Sequence, residues 1–177
     1  MLSQILNLDM ISPKDEIISE LDREWIKRDI ELKEIGQIDK IVFPKFVKPV
    51  IPKLFKGQVY TTQEELINSV TDIKPEEKIL VSNIIQVESE VRTFILDKEI
   101  KDLAFYEGVG NIEEAKLFAQ KFLDTTDKQL PKTFVMDLGY NNELGWFIIE
   151  FNSSWGAGLN FCNPEKVIDC IKSATIN

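Results

Sequence analysis

The sequence predicts an α+β protein with two lobes, built from mostly antiparallel sheets with helices packed on them. In the first half of the 177-residue chain, helical and extended patterns alternate. The second half contains two stretches with the pattern of a β-hairpin, and each is followed by a helical pattern. This order is typical of α+β folds. We expect a helical segment at 1–40, a small lobe at 41–88 and a C-terminal lobe at 89–177, with the lobes meeting near the connection at 82–90.

Composition narrows the function before any motif is considered. The net charge of −9 argues against nucleic acid or an anionic membrane as the main partner. The chain contains no histidine, which excludes Ser-His-Asp and Cys-His catalysis and histidine-ligated zinc. The spacing of Cys162 and Cys170 does not fit a redox Cys-x-x-Cys motif. Since neither a signal peptide nor a bilayer-spanning apolar run is evident, we expect a cytoplasmic protein with reduced thiols and no membrane partner.

The first forty residues predict one helix. The stretch SPKDEIISELDREWIKRD (12–29) begins with Ser12 as a cap and Pro13 in the first turn, and Gly36 marks a stop. An apolar stripe at helical spacing is formed by Ile17, Ile18, Leu21 and Trp25.

The next segment, residues 40–87, predicts strands around a short helix. KIVFPKFVKPVIPKLFKGQVY (40–60) is extended and apolar, but its three prolines confine it to strand ends, edges or loops. Thr62 and Glu65 form a capping box at the start of a helix. EKILVSNIIQV (77–87) is a buried strand that runs into a connection.

The second half predicts two hairpins and two helices. The first hairpin, ESEVRTFILDKEIKDLAFYEG (88–108), turns near Asp97–Lys98, and Asn111 caps the helix that follows. TFVMDLGY (133–140) and GWFIIEFN (145–152) are strands joined by a polar turn. The last helix starts with Asn163 as cap and Pro164 in its first position.

Three oxygen-bearing side chains interrupt the apolar strands of the second hairpin. Glu150 and Asn152 are two residues apart, so both leave the same face of the strand. If the hairpin turns around Glu143 and Leu144, Asp137 comes roughly opposite Glu150. Two carboxylates and an amide are a hard-oxygen set of the kind that holds Mg²⁺ bridged to phosphates. The alternative is a solvated sheet face on which these carboxylates pair with lysines.

Cationic residues in two other stretches have a functional and a structural interpretation. Four lysines punctuate the extended stretch at Lys45, Lys48, Lys53 and Lys56. They can reach phosphate oxygens, or they can protect an edge strand from aggregation, and spacing alone favours the second. Glu88, Glu90 and Arg92 share a strand face, which spacing alone favours as an exposed ion-paired surface rather than an anion site.

Taken in order, these stretches resemble the bacterial and phage branches of the ATP-grasp superfamily. The resemblance covers about residue 43 to the C-terminus. It rests on the order of FVKP (46–49), KLFKG (53–57), VSNIIQVESEVRTFIL (81–96), FVMDLGY (134–140) and WFIIEFNSSWGAGLNFCNPEKV (146–167). It implies an ATP-grasp fold with a nucleotide cleft between the lobes. Most of the usual N-terminal domain is absent, so we expect a partner to supply it.

The resemblance also implies roles for individual residues. Lys48 corresponds to a catalytic lysine on the α- and β-phosphates of ATP, with Lys53 as a second cation. Glu90 corresponds to the ribose acid, and Arg92 to a catalytic arginine at the γ-phosphate or acyl phosphate. The backbone that reads adenine corresponds to Ser82, Asn83, Ile84 and Ile85. The magnesium ligands correspond to Asp137, Glu150 and Asn152, with Mn²⁺ as the alternative ion.

The activity implied by the resemblance is an ATP- and Mg²⁺-dependent carboxylate–amine ligase. Such an enzyme forms an acyl phosphate on a small-molecule or peptide carboxylate, and the acceptor here is expected to be a peptide or protein. Two alternatives stay open from the sequence. One is a nucleotide-binding module without turnover, and the other is an α+β interaction domain whose carboxylates have no ligand.

Overall fold

A computed structural model describes residues 9–176, which form two compact units. One unit is Asp15–Gln86, and the other contains residues 9–14 and 87–176. The strands are β1 (Asp9–Met10), β2 (Ile30–Glu34), β3 (Lys45–Pro49), β4 (Gln58–Tyr60), β5 (Lys78–Ser82), β6 (Ser89–Leu96), β7 (Glu99–Glu107), β8 (Thr133–Asn141), β9 (Gly145–Asn152) and β10 (Thr175–Ile176). The α-helices are α1 (Arg23–Ile26), α2 (Gln63–Ser69), α3 (Ile112–Thr125) and α4 (Pro164–Ser173), and 3₁₀ helices span Ile17–Glu20 and Ile35–Lys40.

The unit Asp15–Gln86 is built on a four-stranded sheet with the order β2-β5-β3-β4, in which every pairing is antiparallel. Its core is apolar and includes Val47, Tyr60, Leu66 and Ile79, each almost completely buried. Helix α2 begins as predicted, because the Thr62 side chain accepts from the Glu65 amide at 3.2 Å and Glu65 reaches back to the Thr62 amide.

The single helix predicted near the N-terminus is wrong. Its segment contains a 3₁₀ helix and α1, separated by Leu21 in an extended conformation, and then β2. Gly36 does not end a helix but lies inside the second 3₁₀ helix. The predicted apolar stripe is nevertheless buried. Pairing of β2 with β5 and burial of the stripe override the local helical preference, which is a weak determinant of structure.

Strand β3 is an internal strand, since it pairs with β5 on one side and with β4 on the other. Protection of an exposed edge therefore does not explain Lys45, and that interpretation of the lysines is wrong for this strand. The predicted confinement of the prolines is confirmed. Pro44 precedes β3, Pro49 is its last residue, and Pro52 lies in the connection to β4.

The other unit contains a four-stranded antiparallel sheet with the order β7-β6-β8-β9 and the short pair β1-β10. The β6–β7 turn is at Asp97 and Lys98, as predicted, and both have positive φ. Asn111 and Asn163 cap α3 and α4 as predicted. A cluster that includes Cys162, Cys170 and residues of β6, β8 and α4 forms one apolar layer. Among the described residues, no helix is long and apolar enough to cross a membrane.

Candidate functional site

A row of charged side chains crosses three strands of the β7-β6-β8-β9 sheet. Arg92 on β6 is paired with Asp137 on β8, and Asp137 is paired with Glu150 on β9. Asn152 follows two residues after Glu150 and lies opposite Val135. Directly paired residues share a face of a sheet. The structure therefore brings the sequence-predicted Arg92, Asp137, Glu150 and Asn152 together on one face.

A β-bulge in β9 creates this arrangement. The hairpin turn leaves Asn141 opposite Gly145, and the regular ladder continues to Leu138 opposite Ile148. Without a shift, Asp137 would then face Ile149, and Glu150 would point to the other side of the sheet. The register shift after Leu138 skips Ile149 and places Glu150 opposite Asp137. The predicted pairing of Asp137 with Glu150 is thus confirmed, but through a bulge rather than through a turn centred on Glu143 and Leu144.

Arg92 and Asp137 form a bidentate ion pair. The Arg92 Nε donates to Asp137 Oδ1 at 2.9 Å, and Nη2 donates to Oδ2 at 2.6 Å. The side chains are only 11% and 2% exposed. A solvated face with lysine partners is therefore wrong for Asp137, and an exposed ion-paired surface is wrong for Arg92. Burial raises the pKa of Asp137 while Arg92 opposes that rise, and the hydrogen bond to Asp137 raises the pKa of Arg92.

The Asn152 amide joins the two carboxylates of the row. Its Nδ2 donates to Asp137 Oδ2 at 3.1 Å and to Glu150 Oε1 at 3.0 Å. A carboxylate offers about four acceptor positions, and the contacts with Arg92 and Asn152 use three at Asp137. Two carboxylates and an amide within hydrogen-bond distance fit Mg²⁺, which binds one or two protein carboxylates together with phosphates. Among the described residues, no group of three or more His, Cys, Asp and Glu side chains is arranged to hold a metal.

Two further contacts surround Arg92 and were not predicted from sequence. Its Nη1 donates to the carbonyl of Gly158 at 2.8 Å, in the loop between β9 and α4. Its guanidinium lies over the ring of Tyr106 on β7, 5.6 Å from the centroid. The Tyr106 hydroxyl in turn donates to the carboxylate of Glu90, the predicted ribose acid. Alternation along β7 was the available signal for Tyr106, but it is unreliable there because the β6–β7 ladder has register shifts.

Lys48 and Lys53 lie in the unit Asp15–Gln86 and in different settings. Lys48 is half-buried on β3, opposite Leu80. Gly57 lies against it so closely that a Cβ there would be 2.9 Å from the Lys48 Cβ. Lys53 is exposed in the β3–β4 connection with a left-handed φ of 66°. The roles of both as phosphate cations stay predictions.

The predicted adenine segment begins at the end of β5. Ser82 is buried, and its hydroxyl accepts from Arg28 Nε and donates to the Asn83 carbonyl. The Asn83 amide donates to the carbonyl of Asp29 at 3.0 Å, and its side chain contacts Asp29 and Lys45. The Asn83 amide is therefore already used within the protein. If this segment reads adenine through an amide, that amide belongs to Ile84 or Ile85, which follow the strand.

Comparison with known families now identifies this arrangement of strands. A family model described as an ATP-grasp domain, the second family of its clade, matches residues 25–170. The chain belongs to this ATP-grasp family. The match includes every residue for which the sequence predicted a role, and the resemblance seen in the sequence is confirmed. No curated protein sequence matches the chain.

Solved structures agree on the ATP-grasp fold. A RimK-domain ATP-grasp protein from Sphaerobacter thermophilus has a TM-score of 0.57 at 13% identity, covering 90% of this chain and 62% of that one. D-alanine–D-alanine ligase from Bacillus anthracis, solved with ATP, has a TM-score of 0.57 at 16% identity, covering 98% and 71%. An L-amino acid ligase from Bacillus licheniformis has a TM-score of 0.51 at 12% identity, covering 84% and 46%. The chain thus spans less than two thirds of the first of these proteins.

Proposed function

We propose that this ATP-grasp chain is an ATP- and Mg²⁺-dependent ligase that joins a carboxylate to an amine through an acyl phosphate. The observation that carries the proposal is the row of Arg92, Asp137 and Glu150 with Asn152, which gathers a cation and a hard-oxygen set on one face of a sheet. Membership of the ATP-grasp family supports the use of ATP. The ligase activity is supported by relatives of the same fold that are named as ligases.

The chemistry requires no histidine. In the first step, a substrate carboxylate oxygen bonds to the γ-phosphorus of ATP, and the bond to ADP breaks. In the second step, an amine attacks the acyl carbon, inorganic phosphate leaves with its electron pair, and the amine loses a proton to solvent. Charge develops on phosphoryl oxygens in both steps, so positioning and charge neutralisation supply the catalysis.

Each residue of the row has a defined part in this proposal. Arg92 stabilises charge on the γ-phosphate or acyl phosphate, and its contacts with Asp137 and Gly158 hold its guanidinium in place. Asp137, Glu150 and Asn152 hold Mg²⁺, or Mn²⁺ in its place, which neutralises phosphate charge when bound. To ligate through oxygen, the Asn152 amide must present Oδ1, because Nδ2 faces the carboxylates here.

The remaining residues are proposed to hold the nucleotide. Lys48 contacts the α- and β-phosphates, with Lys53 as a second cation, and Glu90 holds the ribose hydroxyls. The backbone from Ser82 to Ile85 reads adenine. The carboxylate substrate is a small molecule or a peptide, and the amine is on a peptide or protein.

Calorimetric titration with MgATP tests the nucleotide part of the proposal. We expect wild-type protein to bind, and Lys48→Met and Asp137→Asn to bind at least about tenfold more weakly, since each loses a charged contact. Glu99→Gln is the matched control, because Glu99 is an exposed carboxylate of the same sheet that pairs with Lys101. Absence of heat with wild-type protein, or equal affinity of Asp137→Asn and Glu99→Gln, would contradict a nucleotide site and favour an interaction domain.

Hydroxylamine trapping tests turnover separately. Protein with MgATP, a candidate carboxylate or peptide and hydroxylamine should yield a hydroxamate together with ADP and phosphate. The reaction should require the carboxylate and should be lost in Arg92→Lys, which cannot reproduce the bidentate contact. MgATP binding without ADP release across a broad set of acids would identify a nucleotide-binding module without turnover.

A further inference from the structure

We propose that Tyr106 is a positioning residue that holds Glu90 and Arg92 at the same time, through its hydroxyl and its ring respectively. The inference rests on the proposed function, in which Glu90 holds the ribose and Arg92 contacts the terminal phosphates. It adds that recognition of these two parts of the nucleotide depends on one side chain.

The β6–β7 ladder explains how Tyr106 comes to lie beside both residues. From the turn, Leu96 is opposite Glu99, and a regular ladder would leave Arg92 opposite Leu103, with Tyr106 on the other face. A register shift between Phe94 and Ile95 instead places Arg92 opposite Ala104. Tyr106, two residues beyond Ala104, then lies on the face of Arg92.

A second irregularity places Tyr106 between its two partners. Val91 is opposite Phe105 and Glu90 is opposite Glu107, so Tyr106 is the extra residue of the bulge. Bulges commonly occur next to active sites, where they re-aim a side chain. Here the bulge leaves the Tyr106 ring against Arg92 and directs its hydroxyl to Glu90.

The hydroxyl is a stable donor to Glu90. Burial, together with the charges of Asp137 and Glu90, raises the pKa of Tyr106 above its ordinary value. The phenol therefore stays protonated at physiological pH and donates to the Glu90 carboxylate. Loss of this hydroxyl leaves the Glu90 carboxylate free to change rotamer, which weakens any contact with ribose hydroxyls.

The ring completes the support of Arg92. Asp137 and the Gly158 carbonyl fix the edge of the guanidinium, and Tyr106 covers its face. An aromatic ring under a partly desolvated guanidinium attracts it through the ring quadrupole. Replacing the ring by an aliphatic side chain removes this support while the ion pair with Asp137 remains.

Two substitutions separate the functions of the hydroxyl and the ring. Tyr106→Phe removes only the donor to Glu90, whereas Tyr106→Leu also removes the ring under Arg92. The matched control is Tyr140→Phe, since Tyr140 lies on β8 and packs on Trp146 at 5.1 Å, away from Arg92. Circular dichroism and the melting temperature without nucleotide establish that each variant is folded.

Dissociation constants are measured by calorimetry with Mg²⁺ and three probes: ATP, 2′,3′-dideoxy-ATP and inorganic triphosphate. Tyr106→Phe should weaken ATP about fivefold, as expected for one lost hydrogen bond, and should leave the other two within about twofold of wild type. Tyr106→Leu should weaken all three probes, with about a threefold loss for triphosphate.

The outcomes distinguish this inference from the proposed function. If wild type binds ATP but Tyr106→Phe binds ATP as tightly as Tyr140→Phe, the inference alone is overturned. Equal losses for ATP and dideoxy-ATP in Tyr106→Phe would also overturn it, because the hydroxyl would then not act through the ribose contact. No binding of ATP by wild type would overturn the proposed function and the inference with it. Tyr106→Phe alone decides the hydroxyl's role if Tyr106→Leu does not fold.

Discussion

Asp137 holds Arg92 through two parallel hydrogen bonds, of 2.9 and 2.6 Å, between neighbouring strands of one sheet. The pair is nearly excluded from solvent. An ion pair of this kind positions its arginine, but its net contribution to stability is small because both charges were removed from water. Its value to an ATP-grasp enzyme is therefore a fixed cation beside the proposed metal ligands.

Removal of one partner of this pair should destabilise the fold. In Asp137→Asn, the Arg92 charge stays buried without its carboxylate, and we expect a loss of about 3 kcal/mol in the free energy of unfolding. Denaturant unfolding without nucleotide measures it, followed by a signal from the unit that contains both residues. Arg92→Met combined with Asp137→Leu should lose less than the sum of the single variants, and additivity would contradict the coupling.

Gly57→Ala should weaken MgATP binding through Lys48. The added Cβ would approach the Lys48 Cβ to 2.9 Å, so the strand or the lysine must move. We expect about a threefold to tenfold increase in the dissociation constant, because phosphate contacts depend on accurate placement. Gly36→Ala in the same unit, with its nearest atom at 3.3 Å, is the control. Unchanged binding in Gly57→Ala would contradict the proposed role of Lys48.

The two thiols should react slowly in the folded protein. Cys162 and Cys170 are 3% and 0% exposed, and burial raises the pKa of both, that of Cys162 to about 12. At about pH 8.5, a thiol reagent should modify folded protein at least about a hundredfold more slowly than protein in guanidinium, because the thiolate is the nucleophile. Comparable rates in the two conditions would show that the apolar layer under α4 opens readily.

Cys162 also gives a pH dependence with a defined sign. Its pKa rises from 9.0 in the unfolded chain to about 12 in the folded protein, so the folded state holds the proton more tightly. The stability this provides is complete below about pH 9 and is lost as the pH rises towards 12. Wild type should therefore lose more unfolding free energy than Cys162→Ala across this window, measured by denaturant titration at each pH.

Thr62→Ala should open the first turn of α2. The Thr62 side chain accepts from the Glu65 amide, and its loss costs about 1 kcal/mol in comparable helices. Native-state hydrogen exchange at the Glu65 amide reports this locally. Ser69→Ala is the control, since the Ser69 hydroxyl only donates to the exposed Glu65 carbonyl. Equal protection in the two variants would argue against the cap.

Local sequence signals predicted those parts of the fold that short-range physics controls. The caps at Thr62, Asn111 and Asn163 and the turn at Asp97–Lys98 appear where they were expected. Each depends on a side chain that satisfies a nearby amide or on a backbone conformation at a turn. The helix predicted over 12–29 failed because the same residues meet long-range partners, which helix propensity does not include.

The sequence by itself determined the strands, their order in the ATP-grasp pattern and the residues Asp137, Glu150, Asn152 and Arg92. Only the tertiary structure decided which of them share a face with which neighbours. A shift of one residue inverts the face of a strand. The shift at Ile149 brings Glu150 to Asp137, and the shifts in the β6–β7 ladder bring Tyr106 to Arg92. Such bulges arise from packing across the whole sheet, so no pattern within a single strand specifies them.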